Sequence, residues 1–227
     1  MDPLPLGDGT MKVTEIFYSI EGEGIRQGYP CVFIRLAGCN LKCSYCDSEY
    51  SRHLSQGVEM SEEDILKEVL KYDCPRVTIT GGEPYLTLTD KLLDLFWDEA
   101  MDGSIDIEIN IETNGSLNPS RHQRVGNIIT MDYKLPSSGM EDEMTEDYVD
   151  LLRRQDVLKF VVGDLFDMAR AKEIIDSHDI KAHIFFSPVY GRIEPSAIAD
   201  YLKANKLDAR LQLQIHKIIW NPDRRGV

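Results

Sequence analysis

The sequence predicts one α/β domain built on a mainly parallel sheet. Strand-like and helix-like patterns alternate along the chain, which calls for right-handed crossovers between parallel strands. A strand candidate such as Cys31-Val32-Phe33-Ile34-Arg35-Leu36 is almost continuously apolar, as a strand buried on both faces would be. The segments rich in cysteine and glycine follow directly on strand candidates, where α/β folds bind their ligands. A chain of 227 residues suffices for a substantial core, and its 42% hydrophobic share is that of an ordinary globular protein.

Taken in order, Lys12 to Ser19 and Pro30 to Leu36 read as strands. Ser61 is a natural N-cap for a helix reaching about Tyr72, with Glu62, Glu63 and Asp64 in its first turn. Strand Arg76 to Thr80 runs into a glycine pair. A helix over about Leu88 to Ala100 gathers Leu92, Leu93, Leu95 and Phe96 on one side. Ile105 to Ile111 alternates apolar and polar residues, a strand pattern. Asn127 to Met131 is a short strand, Thr145 to Arg154 a helix, Val157 to Val162 a strand and Asp164 to Ser177 a helix. Ile180 to Phe186 is a strand, Pro195 to Lys203 a helix with proline in its first turn, and Leu207 to Ile215 the last strand. No linker, repeat or low-complexity segment divides residues 1–227. The acidic stretch Gly139 to Glu146 is expected to be a mobile loop.

The formal net charge of −14 argues against a nucleic-acid partner, which would need a basic surface. No apolar run approaches the ~18 residues of a membrane span. Met1 to Leu6 lacks the basic start and long apolar core of a secretory signal. Five cysteines, three of them clustered, do not make a disulfide framework, and Cys74 reads as a buried or indifferent thiol. A reducing cytoplasm is the expected location.

Three features carry chemistry. Cys39, Cys43 and Cys46 fall within eight residues. A cubane of four irons normally takes four cysteines. Three would leave one iron open, and an open position separates a catalytic metal site from a structural one. The alternatives are a zinc knuckle or buried thiols, but zinc wants a fourth ligand close by, and the nearest histidine, His53, has no patterned partner. In the second feature, Thr80-Gly81-Gly82-Glu83-Pro84, the glycines would let the backbone approach a ligand and the carboxylate could accept from an ammonium; an ordinary turn is the competing reading. The third is Arg35, a cation in an apolar strand. It needs an anion, either within the protein or on a ligand.

The C-x3-C-x2-C spacing resembles that of the radical S-adenosylmethionine (SAM) enzymes. That resemblance implies a cluster whose open iron chelates SAM, and a 5′-deoxyadenosyl radical formed from it, so that no amino acid need be the catalytic group. Further segments narrow the likeness: Glu15 to Gly24, Phe33 to Gly38, Cys46-Asp47-Ser48, Glu112-Thr113-Asn114-Gly115, Lys134 to Met140, Leu158 to Val162 and His216-Lys217. Together they resemble the 7-carboxy-7-deazaguanine synthases. Those enzymes convert 6-carboxy-5,6,7,8-tetrahydropterin to 7-carboxy-7-deazaguanine with loss of ammonia, for queuosine and related deazapurines. The implied fold is an incomplete (β/α) barrel.

Roles follow from the resemblance position by position. Cys39, Cys43 and Cys46 would hold the 4Fe-4S cluster. Tyr45 would stack near the adenine, and Glu83 would take the SAM amino group beside Gly82. Cys46, Asp47, Asp132, Tyr133, Lys134 and the stretch Ser187-Pro188-Val189-Tyr190 match further SAM contacts. Asp132-Tyr133 stands where the family often has Ser-Pro. Ser48 replaces a threonine that binds Mg2+ through its hydroxyl, though a serine here is equally suited to a turn or N-cap. Ile20, Glu21, Gly22, Glu23, Arg35, Thr80, His216 and Val227 match substrate contacts, Arg35 meeting the substrate carboxylate. Glu21 stands where the family carries glutamine, so either its side chain alters the pterin contact or the contact is made by backbone. An external one-electron donor of flavodoxin or ferredoxin type and a homodimer are further family expectations. Two rivals are an activase of a glycyl-radical enzyme, which shares the cysteine spacing, and a zinc-stabilised binding module.

Overall fold

The computed structural model describes residues 10–101 and 107–227. Its sheet has nine strands in the order β3-β1-β2-β4-β5-β6-β7-β8-β9. They are β1 Thr10–Ile20, β2 Pro30–Leu36, β3 Val58–Ser61, β4 Arg76–Gly81, β5 Glu108–Thr113, β6 Ile128–Tyr133, β7 Val157–Val162, β8 His183–Pro188 and β9 Arg210–Leu211. β3, β1 and β2 pair antiparallel, and every pairing from β2 to β9 is parallel. This is the mainly parallel α/β architecture that the alternating pattern predicts, and an open sheet of this order is compatible with an incomplete barrel.

The helices are α1 Glu62–Leu70, α2 Asp90–Met101, α3 Leu165–Ser177, α4 Pro195–Asn205 and α5 His216–Ile219. Ser61 caps α1 by accepting from the Asp64 N–H at 3.1 Å, and Asp164 caps α3 by accepting from the Asp167 N–H at 3.0 Å. Ile65, Leu92, Phe96, Ile174 and Ile198 of the helices are buried with Ile34, Ile79, Ile111, Met131, Leu158 and Phe186 of the strands. Cys74 belongs to the same core. No helix among the described residues is long and apolar enough to cross a membrane.

Several expected elements differ. Residues 105 and 106 of the expected strand fall outside the described residues; the strand there is Glu108–Thr113. β6 and β8 run two residues further than their apolar cores suggest. The expected helix at Thr145 to Arg154 is a 3-10 segment, Glu146–Leu151. Side chains pull it apart: Arg170 takes Glu141 and Glu146, and Arg153 folds back onto Asp156 and the Asn127 carbonyl. Arg170 also ties down the acidic stretch expected to be a mobile loop. β3 has no apolar run to announce it, since Val58 and Glu59 are exposed.

The expected last strand, Leu207 to Ile215, shrinks to two residues. Beyond β9 the chain leaves the ladder and crosses to the loop after β1. There the Gln212 side chain accepts from the Gly24 N–H at 3.0 Å and donates to the Gly24 carbonyl at 3.1 Å. The Ile215 N–H reaches the Gly22 carbonyl at 3.2 Å, and Gln27 donates to the Leu213 carbonyl at 2.5 Å. A polar seam therefore joins the two sides of the sheet where further strands would close a barrel.

Candidate active site

The C-terminal ends of the parallel strands surround a cavity of about 610 Å3. The loop after β2 supplies Cys39, Cys43, Tyr45, Cys46, Asp47 and Ser48. β4 and its turn supply Thr80, Gly81 and Gly82; β5 to β8 supply Glu112, Asn114, Asp132, Lys134, Lys159, Val161 and Pro188 to Tyr190. Ile20 to Glu23 and residues 214–227 close the far wall.

Backbone bonds set the cysteine loop. Gly38, at φ +102°, turns the chain out of β2. The N–H groups of Gly38 and Cys39 then donate to the Ser51 and Arg52 carbonyls at 2.8 and 2.9 Å. Ser44 is held from the opposite side by the Ser137 and Ser138 carbonyls. All three thiols are free and half-buried. Burial pushes the Cys39 and Cys43 thiols up, with Lys134 opposing in both cases. Polar groups already meet sulfur: the Leu41 N–H and the Asn114 amide donate to Cys39, and the Ser48 hydroxyl lies 3.8 Å from Cys46 Sγ. Such groups favour thiolate, the ligating form.

Among the described residues no three His, Cys, Asp or Glu side chains converge as ligands around one ion would. A cubane asks for something else. Its thiolates bind different corner irons, so they stay apart while facing one space. The three thiols on one cavity wall, each with polar support, fit that group. His53 caps the turn Leu54–Gln56 and is not among the cavity residues, so it does not supply the fourth ligand of a zinc knuckle.

The glycine motif works by close packing. Gly82 donates to the Leu36 carbonyl at 3.0 Å, and a Cβ on Gly82 would lie 2.2 Å from the Gly38 carbonyl oxygen. The two glycines therefore let the turn after β4 press against the root of the cysteine loop. Glu83 departs from its expected role. Its side chain is 0% exposed and is not part of the cavity wall. It accepts from the Thr113 hydroxyl at 2.8 Å, the Asn114 N–H at 2.6 Å and the Tyr85 N–H at 3.0 Å. Burial pushes its carboxyl up to about 7 against those three donors. The motif thus offers backbone to a cofactor, with Glu83 as the buttress behind it.

Strand alternation corrects Tyr133. Asp132 and Lys134 point into the cavity, so Tyr133 points out, where its ring meets Phe160 edge-on at 5.9 Å. Asp132 accepts from Lys134 at 3.0 Å and from Lys159 at 3.4 Å through Oδ2, while its Oδ1 is buried with no hydrogen-bond partner among the described residues. An orphaned acceptor at the cavity suits a hydroxyl or ammonium donor such as SAM carries. Tyr45 lines the cavity and reaches the Val161 carbonyl at 3.4 Å. Pro188, Val189 and Tyr190 line it too, but Ser187 is buried and donates to Glu23 at 3.2 Å. Its side chain is thus taken by the protein.

Ser48 stands at the N-cap of the turn Glu49–Ser51 without using its hydroxyl there; the Oγ faces the cavity 3.8 Å from Cys46 Sγ. Asp47, expected among the SAM contacts, is held by Lys217 at 2.8 Å. The Lys217 ammonium lowers its pKa.

On the opposite wall Arg35 finds an anion within the protein and still borders the cavity. Its Nε donates to Glu15 at 2.8 Å, and among the described residues its terminal nitrogens have no hydrogen-bond partner, leaving them to the cavity. Thr80 and Glu112 line the same wall. Glu23 is bound to Lys159 at 3.1 Å. The Glu21 side chain turns into the protein, so this segment can meet a ligand through backbone. His216 lines the cavity as the first residue of α5, not as a strand exit. Its ring sits against Gly22, where a Cβ would lie 2.1 Å from Nδ1. Val227 lines the cavity as well.

Sequence reasoning passed over Glu112 and Lys159. Lys159 gave the same signal as Arg35, a cation inside an apolar strand, and Glu112 occupies an inward step of the alternating β5.

Comparison with known proteins agrees. The radical SAM superfamily profile matches residues 33–131. A 7-carboxy-7-deazaguanine synthase of Clostridium acetobutylicum is 45% identical over 95% of this chain and 99% of its own. One from Chlorobaculum tepidum is 40% identical over 97% and 99%. The fold is also that of the crystal structure of QueE from Escherichia coli, with a TM-score of 0.74, 22% identity and coverage of 92% and 96%. With a relative so similar along its whole length, and the cysteine loop opening on a ligand-sized cavity, the chain belongs to the 7-carboxy-7-deazaguanine synthase family of radical SAM enzymes.

Proposed function

We propose that the chain, as one radical SAM domain spanning 1–227, converts 6-carboxy-5,6,7,8-tetrahydropterin to 7-carboxy-7-deazaguanine with loss of ammonia. The observation that carries this reading is the meeting, in one cavity, of the three-thiol loop and the free edge of Arg35. When bound, the cluster and SAM supply hydrogen-atom abstraction through one-electron chemistry. The protein positions the pterin and keeps water out. Arg35 takes its carboxylate in a charge-assisted pair. Backbone of Ile20 to Glu23, with Thr80, Glu112 and His216, orients the rings. Asp132 and Lys134 hold the SAM side.

Mg2+ at the Ser48 hydroxyl, an external flavodoxin- or ferredoxin-type donor, a homodimer and a cytoplasmic setting complete the proposal. Mg2+ would keep water and substrate oxygens as its other ligands. The test is anaerobic reconstitution with iron and sulfide, then addition of reductant, SAM, Mg2+ and the pterin. The expected products by mass spectrometry are 7-carboxy-7-deazaguanine and ammonia. 5′-Deoxyadenosine alone would keep the class of chemistry and reject the substrate. A colourless, zinc-containing protein would reject both.

A further inference from the structure

The cations around the cavity are mostly spoken for. Lys134 is held by Asp132, Lys159 by Glu23 and Asp132, Lys217 by Asp47, and the Nε of Arg35 by Glu15. Arg224 and Arg225 are not, and of the two it is Arg225 that stacks on a ring. It lines the cavity mouth, and among the described residues no carboxylate lies within salt-bridge distance of it. Its guanidinium carbon sits 3.9 Å from the centre of the Tyr50 ring. The Arg35 guanidinium carbon is 5.7 Å from the same ring. Tyr50 is fixed, because its hydroxyl donates at 2.7 Å to the Glu15 oxygen that also accepts from Arg35 at 2.8 Å. A guanidinium stacked on a ring keeps its N–H edge free in its own plane, ready for a carboxylate.

We propose that Arg225 is the second arm of a carboxylate subsite, with Tyr50 as its platform and Arg35 as the first arm. Two carboxylates belong to the proposed reaction, that of the pterin and that of the methionine part of SAM. Position favours the pterin. Glu15 and Arg35 stand on β1 and β2, with Tyr50 bound to Glu15 from the turn Glu49–Ser51, whereas Asp132 and Lys134 belong to β6 and the residue after it, with β4 and β5 between. The assignment rests on the proposed function and names the residue that selects a carboxylated pterin.

The test uses anaerobic, cluster-loaded, SAM-bound protein. Equilibrium binding is measured for 6-carboxytetrahydropterin and for tetrahydropterin lacking the carboxylate. Wild type should prefer the first. Arg225→Met should weaken it by about ten-fold, the size of one charge-assisted contact, and leave the second pterin and SAM unchanged. Arg225→Lys should recover part of the loss, since it restores charge but not the fork. An unchanged preference overturns the assignment, as does a loss shared equally by both pterins. A loss confined to SAM gives Arg225 to the other carboxylate and overturns it too. Wild type that binds neither pterin brings down the functional reading, and this assignment with it.

Discussion

Glu21 Oε2 lies 3.3 Å from Arg26 Nη2 in the interior, both side chains closed off from solvent. The same oxygen accepts from Thr78 at 2.5 Å, and Arg26 also donates to the Val77 and Glu108 carbonyls at 3.1 and 2.9 Å. A carboxylate is thus neutralised from beneath, and the Gly22 backbone can still face the cavity. Burial, and then Glu112, push Glu21 up to about 7 against Arg26 and Thr78. Arg26→Met should strand the charge and cost about 3 kcal/mol of stability at pH 8. The cost should shrink toward pH 6. With its folded pKa above the unfolded value of 4.5, the native protein binds more protons than the unfolded chain between the two values, so stability falls as pH rises through that window. Urea denaturation reads this, and Glu21→Gln with Arg26→Met should recover most of the loss. A single variant as stable as wild type at pH 8 would remove the pair from the argument.

Cys43→Ala should leave the fold intact, because the thiol is half-buried at a loop and takes no part in the core. Reconstituted protein should lose most of its iron and sulfide and all SAM cleavage. Elemental analysis beside deoxyadenosine assay checks both, and normal iron content would mean another residue holds the cluster.

Arg35→Met should weaken pterin binding by at least about ten-fold, while SAM cleavage without substrate turnover persists. The stem of the methionine keeps the packing near Phe17 and Tyr50. Unchanged pterin affinity would return Arg35 to a purely internal role with Glu15.

His178 bridges Asp150 at 2.8 Å and Glu146 at 3.1 Å, and its pKa is raised, first by the hydrogen bond to Asp150. A histidine whose folded pKa exceeds its unfolded 6.5 contributes stability that is fully present below 6.5 and is lost as pH rises through the folded value. The melting temperature of His178→Ala should therefore fall below that of wild type at pH 6 and converge with it above pH 8. A gap that persists at high pH would assign the effect to packing instead.

Local spacing made the cysteine loop legible, since three ligands on one short loop need no tertiary knowledge. Period and caps likewise exposed α1 and α3. What stayed hidden depends on distance. Glu83 looks like a ligand in its own pentapeptide, and only Thr113 and Asn114, on another strand, show that it is engaged. Arg26 sits in a loop of ordinary composition, and its value comes from Glu21 and Thr78 beneath. The segment Thr145 to Arg154 has helical composition, but Arg153 and Arg170 take its backbone elsewhere. The end of the expected last strand was misread because its partner is a loop that precedes it by 188 residues.

That polar seam has a consequence for biogenesis. A nascent chain ending before Gln212 can already form β1 to β8 and the cysteine loop, yet it lacks the partners of Gly22 and Gly24 and the wall bearing His216 and Arg225. Contacts so far apart in sequence form late. Cluster delivery to such a chain would fill a vessel still missing one side, so the order of maturation is written into topology: residues 212–227 must dock before a metallated protein can shield its radical chemistry from water.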